Sequence, residues 1–209
     1  MRRKRILLWA AMVVVALGLI GGGTYGFYQS VLPNLRIVRH GVLWRSGQPN
    51  LLGLYVARWA GVKTLICLRD GDDAETKTEA EFARAHGMVF VQNQLRYSGE
   101  NLHEAVSRFL EVVRDPQAQP VLVHCSRGKE RTGVCSAVFR IEFDGWTDEQ
   151  ALREMYGLGF DRGTLPELEQ FVSSYRASDG KAVPATVATA EPASAPPSGG
   201  PRKSARATP

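Results

Sequence analysis

The central part of the chain has almost no net charge, although the full 209 residues carry a formal net charge of +5. Four positive charges belong to residues 1–5, and the tail from Ser178 onward adds a net two more. The remaining residues, 6–177, therefore carry a formal net charge of 5 − 4 − 2 = −1. A domain without a basic surface lacks the electrostatic footprint with which proteins bind polyanionic nucleic acid. We therefore expect no nucleic-acid partner.

The C-terminal segment, residues 178–209, lacks aromatic residues and is rich in Ala, Pro, Ser and Gly. Such a composition cannot bury enough apolar surface to offset the entropy of ordering the chain. We therefore predict a disordered tail. The hydrophobic content of the whole chain, 44%, fits one ordinary globular domain with appendages, and no internal repeat is evident.

The N-terminal segment lacks charged residues from Ile6 to Gly23, directly after the basic start at residues 1–5. A helix that spans a membrane needs roughly 20 such residues, whereas the apolar region of a cleaved signal peptide is usually about 7 to 15 residues long. No clean Ala-x-Ala site follows, so we favour an uncleaved anchor over a cleaved signal. Because basic residues are retained in the cytoplasm, we predict a single-pass membrane protein with its domain on the extracytoplasmic (periplasmic) side.

Cysteine is scarce, and the three that occur are Cys67, Cys125 and Cys135. An odd count in an exported protein leaves at least one thiol unpaired, and such a thiol can be reactive. We interpret Cys67 and Cys135 as small buried apolar residues. Cys125 differs from both, because it directly follows an apolar run and precedes a loop rich in glycine and basic residues.

Apolar strands alternate with helices between the two ends of the chain. We predict strands at 41–49, 62–68, 88–91 and 121–124, and helices at 50–61, 74–86, 102–114 and 133–143. Thr147 with Gln150 and Thr164 with Glu167 resemble capping boxes that open two further helices. The alternation predicts an α/β fold with a central, mainly parallel sheet flanked by helices. Ligands of such sheets bind beyond the carboxyl ends of the strands, and Cys125 follows one of these ends.

The segment HCSRGKERTG, residues 124–133, has the features of an anion site. A loop that leaves a strand and enters a helix can turn its backbone N–H groups inward, and the helix N-terminus adds partial positive charge. Arg131 can bind two oxygens of a tetrahedral oxyanion with its planar guanidinium. The same field stabilises a thiolate. We therefore predict that Cys125 attacks a bound phosphoryl group and forms a cysteinyl-phosphate, which water then hydrolyses.

The other residues of this loop are predicted to bind the phosphate. They are Ser126, Arg127, Gly128, Lys129, Glu130 and Thr132. Gly128 permits backbone angles that a side chain would forbid, and Gly133 is expected to let the helix start pack close to the sheet. The Thr132 hydroxyl is a candidate donor to the regenerated thiolate. His124 is expected to support the loop from the opposite face rather than act as a base. We expect this chemistry to need no metal and no cofactor.

Residues 124–132 resemble the HCxxGxxR-Ser/Thr signature of the cysteine-dependent protein tyrosine and dual-specificity phosphatases, and every position of the signature matches. Upstream, WRSGQP (44–49) and GVKTLICLRD (61–70) are similar to the entry strand and second strand of bacterial and atypical dual-specificity members. The resemblance extends over about 42–177, which we take as the domain. It implies the phosphatase-type sandwich fold and hydrolysis of phosphate monoesters.

The resemblance leaves the substrate open. It favours phosphorylated proteins, as for tyrosine or dual-specificity phosphatases. The lysine of the CxxGKxR arrangement, Lys129, is similar to that of phosphoinositide and inositol-phosphate phosphatases, where an added cation binds extra phosphate, and Arg127 could do the same. An inositol phosphate or pyrophosphate substrate is therefore the alternative. Some lipid phosphatases of the family also form a reversible disulfide from a position comparable to Cys67.

One part of the family pattern is missing. The loop QNQLRYSGE, residues 92–100, lacks the aspartate that usually protonates the leaving oxygen. The candidates that remain are Glu100, Asp70, Asp72 and Asp73. The missing acid also supports a pseudophosphatase that only binds phosphate, although an intact Cys125 and Arg131 argue for catalysis. A rhodanese-like sulfur transfer is a third hypothesis, which the Arg-Thr-Gly end of the loop fits poorly.

Overall fold

A computed structural model describes residues 2–70 and 73–177. The predicted tail at 178–209 and the candidate acid Asp72 lie outside the described residues. Seven helices and five strands occur within these ranges. In chain order they are α1 (Arg2–Val31), β1 (Arg36–Arg39), β2 (Leu43–Ser46), α2 (Leu51–Trp59), β3 (Thr64–Cys67), α3 (Ala74–Ala85), β4 (Val89–Gln92), α4 (Leu102–Arg114), β5 (Val121–His124), α5 (Glu130–Asp144), α6 (Asp148–Gly157) and α7 (Pro166–Ser174).

The strands form one sheet in the order β1-β2-β5-β3-β4, which confirms the predicted mainly parallel arrangement. β2, β5, β3 and β4 run parallel, while β1 pairs antiparallel with β2 at the edge. β5 is central, and all four of its residues are buried. In the register of the sheet, Ser46 and Cys67 both lie beside His124. The carboxyl ends of three strands therefore meet where the HCSRGKERTG segment begins.

Helices cover both faces of the sheet. One face packs against α4, α5, α6 and α7, with Phe109, Val123 and Phe139 in its core. The other face packs against α2, α3 and the end of α1, and its core contains Leu65 and Leu122. Neighbouring strand residues point to opposite faces, so β5 contributes to both cores. Each fully buried side chain of this size stabilises the fold by about 1.5–3 kcal/mol.

The predicted helix boundaries hold where a periodic apolar stripe or a cap defines them. α4 spans the predicted 102–114 and buries its apolar stripe. The capping box of Thr147 and Gln150 opens α6, with both of its hydrogen bonds present. The second predicted box is wrong, because α7 begins at Pro166 and no side chain caps it. Proline at the first helical position has no N–H group, so this helix start leaves one donor fewer to satisfy.

The folded region extends on the N-terminal side of residue 42. β1 pairs with β2, and α1 continues without a break through Val31, which is buried against the domain. The predicted apolar segment, 6–23, therefore lies within a longer helix. Within the part of the chain described, Met12–Val31 is long and apolar enough to cross a membrane, by length and composition alone.

Candidate active site

The loop from Cys125 to Lys129, here called the signature loop, connects β5 to α5 at the carboxyl edge of the sheet. Gly128 has a φ of +70°, a conformation that favours glycine. A Cβ atom at this position would lie 2.4 Å from the backbone N of Gly47 and 2.5 Å from the carbonyl C of Ser46. The loop thus packs directly on the backbone that follows β2, and only glycine fits there.

Cys125 is fully buried at the base of the signature loop. Its Sγ accepts a hydrogen bond from the backbone N–H of Gly128 at 3.2 Å, so the loop curls back over the sulfur. α5 begins at Glu130, which brings the positive end of a helix dipole to the same place. A thiolate and a bound phosphate are both stabilised by this arrangement.

Arg131 is buried, and several groups orient its guanidinium. Nη1 donates to the carbonyl oxygen of Leu68 at 3.1 Å and lies 3.4 Å from Oδ1 of Asp70. Nη2 donates to Oγ of Ser126 at 3.3 Å. The guanidinium carbon lies 4.3 Å from the ring centroid of Tyr97, within cation–π distance. Arg131 is therefore held beside the signature loop, and its contacts with Asp70 and Ser126 can be exchanged for phosphate oxygens.

Arg45 is a second buried cation at the loop, and the sequence interpretation assigned it no role. Its Nη2 donates to the carbonyl oxygen of Gly128 at 2.7 Å. Burial lowers the pKa of Arg45 to about 10, against the opposing effect of the nearby Cys125. The guanidinium thus remains charged at neutral pH and faces the signature loop from the sheet side. The signal that the sequence offered was a single arginine within a short predicted strand, at LWRS (residues 43–46).

The other predicted phosphate-binding residues differ in exposure. Arg127 is 67% exposed, and it forms an ion pair with the buried Glu130 at 2.7 Å. The carboxylate of Glu130 therefore contacts the guanidinium of Arg127, and its contact with phosphate stays a prediction. Lys129 is half-buried, with its stem over Gly159, where an added Cβ would lie 3.2 Å from Cε. Thr132 is buried, and its Oγ1 has no hydrogen-bond partner among the described residues. Its donation to the thiolate stays a prediction.

Gly133 allows a close packing contact, but with a helix rather than with the sheet as expected. A Cβ atom on Gly133 would lie 3.0 Å from Cγ of Met155 in α6 and 3.7 Å from Cδ2 of Phe160. Glycine at this point therefore lets α6 approach the first turns of α5. The helix that carries Arg131 is supported from this side.

A buried polar cluster lies next to the end of β5. Nε2 of His124 is 3.3 Å from Oε1 of Glu79, and Cys67 is the neighbour of His124 on β3. Burial lowers the pKa of His124 to about 3, raises that of Glu79 to about 8 and raises that of Cys67 to about 11. Their ligand atoms lie within 4.8 Å of one another, a spacing that could hold a metal ion. These shifts favour the uncharged forms of His124 and Glu79 at neutral pH. His124 is fully buried beneath the signature loop, and its role as a support rather than a base stays a prediction.

The cysteines agree with their sequence interpretation. Cys67, Cys125 and Cys135 are all free thiols and all buried. Cys135 lies in α5, where burial raises the pKa of its thiol well above the usual range. Cys67 is on the strand next to β5, as predicted. Of the three, only Cys125 lies directly before a helix start and accepts a hydrogen bond at its sulfur from a backbone N–H of the loop that leads into that helix.

The candidate acids are distributed unequally around the site. Asp70 is half-exposed and lies beside Arg131. Asp73 caps α3 by accepting the N–H of Thr76, and this hydrogen bond holds the pKa of its carboxyl below the usual value. Glu100 forms a surface ion pair with Arg96 at 2.9 Å. Of the three candidates within the described ranges, the structure brings only Asp70 into contact with the predicted catalytic residues.

Comparisons with known proteins match most of the described region. The model of a family described as "DSP-PTPase phosphatase fused to NAD+ Kinase" matches residues 29–173. The dual specificity protein phosphatase TpbA of Pseudomonas aeruginosa is 32% identical over 137 residues, 63% of this chain and 58% of that protein. The inositol diphosphatase DSP1 of Oryza sativa subsp. japonica is 36% identical over 104 residues, 48% of this chain and 46% of that protein. The chain spans about half the length of these curated relatives.

Solved structures agree on the fold. The crystal structure of P. aeruginosa TpbA superposes with a TM-score of 0.56 and 25% identity, covering 68% of this chain and 84% of that chain. The core catalytic domain of the PP-IP phosphatase SIW14 from Saccharomyces cerevisiae gives a TM-score of 0.59 at 23% identity, covering 72% of this chain and 89% of that one. The five-stranded sheet with its helices is therefore an architecture shared with both.

Proposed function

Because the chain belongs to the DSP-PTPase phosphatase family matched over residues 29–173, as its signature predicted, we propose that it is a cysteine-dependent phosphatase of phosphate monoesters. One observation carries the proposal. The Gly128 N–H donates to Cys125 Sγ at the start of α5, with Arg131 and Arg45 as the flanking cations. A loop that only bound phosphate would have no need of a sulfur nucleophile beneath the anion. This arrangement favours catalysis over a pseudophosphatase.

The proposed reaction has two steps. The phosphoryl group binds the N–H groups of the signature loop and the Arg131 guanidinium, and Cys125 Sγ attacks phosphorus as the P–O bond to the leaving group breaks. Asp70 donates a proton to the leaving oxygen. Water then attacks the cysteinyl-phosphate and gives a proton to the Asp70 carboxylate, the S–P bond breaks, and the thiolate and inorganic phosphate are released. Donors fixed before the reaction stabilise the transition state, and removing one such donor commonly lowers the rate by about 10²–10³.

The favoured substrate is a protein phosphorylated on tyrosine, with dual specificity for serine and threonine. The similarity to TpbA, named a dual specificity protein phosphatase, supports it. An inositol phosphate or pyrophosphate is the second candidate. Arg127 and Lys129 supply cations beyond Arg131, as binding of extra phosphate requires, and DSP1 is named an inositol diphosphatase. The apolar α1 supports attachment to a membrane, and the basic start at residues 1–5 favours an extracytoplasmic domain.

The test is hydrolysis of an aryl phosphate by the full chain in detergent, with and without a chelator. We expect vanadate-sensitive, metal-independent turnover that is lost in Cys125→Ser. Cys135→Ala is the matched control, because it removes another buried thiol and is expected to keep the activity. Turnover that survives in Cys125→Ser would contradict the proposal.

The substrate is tested on the same preparation. A panel of phosphotyrosine, phosphoserine and phosphothreonine peptides, phosphoinositides and inositol pyrophosphates should show the highest kcat/KM for phosphotyrosine. A preference for inositol pyrophosphates would select the second candidate. Binding of the panel without turnover would select the pseudophosphatase.

A further inference from the structure

The chain that leaves the end of α1 is hydrogen-bonded to the signature loop and to its support. Asn34, at a φ of +54°, donates from its side-chain Nδ2 to the carbonyl oxygen of Arg127 at 2.8 Å. The carbonyl oxygen of Pro33 accepts the backbone N–H of Gly47 at 2.6 Å. A Cβ atom on Gly47 would lie 3.0 Å from the carbonyl C of Arg127. The exit of α1 therefore forms part of the wall around the signature loop.

Within the described residues, α1 joins the domain directly, through residues that are themselves packed against it. Val31 and Leu32 are buried in the core beneath α2. The carbonyl oxygen of Val31 accepts the N–H of Asn50 at 3.2 Å, and a Cβ atom on Gly53 would lie 2.1 Å from the same oxygen. A helix packed this closely cannot pivot about its end without breaking the contact. The distance between α1 and the signature loop is therefore set by packing.

Aromatic residues precede this junction. Tyr25, Phe27 and Tyr28 are exposed near the end of α1, the position at which spanning helices carry their interfacial aromatic belt. From Val31 to Asn34 the chain can extend at most about 10 Å. The polar layer of each leaflet is roughly 5–8 Å thick. With α1 as the span, the signature loop lies near the top of the lipid headgroup layer.

Apolar and basic side chains are exposed close to the same junction. Leu51 and Leu52 are 54% and 45% exposed in the first turn of α2, directly after Asn50, whose side chain donates to the carbonyl oxygen of Ser30 at 3.1 Å. Arg36 follows the exit of α1 and is exposed, as is Arg127. We name this surface the proximal face, formed by Arg36, Leu51, Leu52 and Arg127. Exposed leucines and arginines near the end of a candidate spanning helix are typical of surfaces that bind anionic bilayers.

From this continuity we infer that the proximal face docks on an anionic bilayer surface and holds the signature loop at headgroup level. The inference rests on the proposed phosphatase function and adds a positional specificity to it. Phosphate monoesters presented close to the membrane are hydrolysed in preference to the same groups farther out. α1 is then a positioning element and not only a tether.

The test uses the full chain in vesicles of phosphatidylcholine and phosphatidylglycerol. The substrates are lipid-anchored peptides with phosphotyrosine either next to the anchor or beyond a flexible spacer of about 30 residues, long enough to reach well past the headgroup layer. We expect the short-spacer peptide to have about tenfold higher kcat/KM than the long-spacer peptide. Equal values would overturn the inference, because a loosely tethered domain would hydrolyse both.

Two variants, one double and one single, separate docking from tethering. Leu51→Asp with Leu52→Asp keeps α1 but places charges in the proximal face, at helix positions where acidic residues are well tolerated. We expect it to lose the spacer preference while retaining hydrolysis of a soluble aryl phosphate. Val89→Asp is the matched control, because Val89 is 55% exposed at the opposite end of the sheet, and it should keep the preference. A preference retained in the leucine variant would contradict docking.

A readout without catalysis distinguishes this inference from the proposed function. In a Cys125→Ser background, Leu52→Cys and Val89→Cys are labelled with an environment-sensitive fluorophore. We expect a blue shift and quenching by brominated lipid for the label at position 52 only. No shift at position 52 would overturn docking even if the phosphatase is active. Cross-linking between two copies at position 52 would identify a second chain as the occupant and would equally overturn it.

Discussion

Arg45 shows how one buried side chain can control the geometry of a loop that it does not belong to. Its guanidinium is almost completely buried and donates to the carbonyl oxygen of Gly128, the residue whose N–H contacts Cys125 Sγ. The same peptide segment therefore binds a cation on one side and the sulfur on the other. Burial of this charge is costly, and its hydrogen bond to the loop offsets part of that cost.

Replacement of Arg45 tests this role. We expect Arg45→Met to lower kcat/KM for an aryl phosphate by roughly 10- to 100-fold, because a hydrogen bond to a charged group contributes about 1.5–3 kcal/mol. Arg45→Lys should lower kcat/KM less than Arg45→Met, because lysine keeps the positive charge. The control is Arg140→Met, which removes a guanidinium paired with Glu154. This variant should lower the melting temperature and have little effect on kcat/KM. Full activity in Arg45→Met would exclude the role.

Asp70 is the second residue whose role depends on a contact, in this case with Arg131. If Asp70 protonates the leaving oxygen, its loss matters most when the leaving group is a poor one. We expect Asp70→Asn to lower kcat by about 10²-fold for an alkyl phosphate and only a few-fold for p-nitrophenyl phosphate. Glu100→Gln, which breaks a surface pair with Arg96, should change neither value. An equal loss with both substrates would assign Asp70 to binding.

At the scale of elements, the junction of β5, β3 and α3 holds two buried titratable side chains, Glu79 and His124, whose pKa shifts predict a pH-dependent stability. Burial raises the pKa of Glu79 from its ordinary 4.5 to about 8 and lowers the pKa of His124 from 6.5 to about 3. Between pH 3 and 4.5 the unfolded state binds one proton more than the folded state, at His124, so the free energy of unfolding rises with pH. Between 4.5 and 6.5 the two contributions cancel. From pH 6.5 to 8 the folded state binds one proton more than the unfolded state, at Glu79, so the free energy of unfolding falls as the pH rises.

The corresponding prediction is a change in the pH dependence of unfolding. We expect Glu79→Gln to remove a decline that approaches about 1.4 kcal/mol per pH unit between pH 6.5 and 8. Urea unfolding of wild type and variant across this range measures it. Glu81→Gln, an exposed acid on the same helix, is the control and should leave the decline unchanged. Parallel stability curves for wild type and Glu79→Gln would contradict the assignment.

At the scale of the whole molecule, the domain includes the last turn of α1 and the edge strand β1. Val31 and Leu32 fill the core beneath α2, and β1 covers one edge of β2. The family match, which starts at residue 29, includes both elements. Removing them would expose apolar surface worth about 1.5–3 kcal/mol for each large side chain and leave a sheet edge unpaired.

Truncation tests where the domain begins. We expect a protein of residues 24–177 to unfold in a single cooperative thermal transition. A protein of residues 42–177, the range indicated by the resemblance to dual-specificity members, should lack such a transition or aggregate. Circular dichroism and calorimetry distinguish the two. A cooperative transition of equal midpoint for both would mean that β1 and the end of α1 are dispensable.

The sequence by itself determined the features that depend on neighbouring residues. The signature residues Cys125, Gly128 and Arg131 lie within one strand-loop-helix segment, so their chemistry could be predicted from their spacing. The stripe of α4 and the box that opens α6 are equally local. The family was also identified from such motifs. The second predicted box failed because a proline starts α7 in its place.

Only the tertiary structure decided which distant residues meet. Arg45 reaches Gly128 across 83 positions, and Asn34 reaches Arg127 across 93. Such contacts depend on which strands become neighbours in the sheet and on the direction in which each buried side chain then points. Spacing along the chain does not reveal the order of the strands or the direction of the buried side chains, because helices packing on the two faces of the sheet determine them.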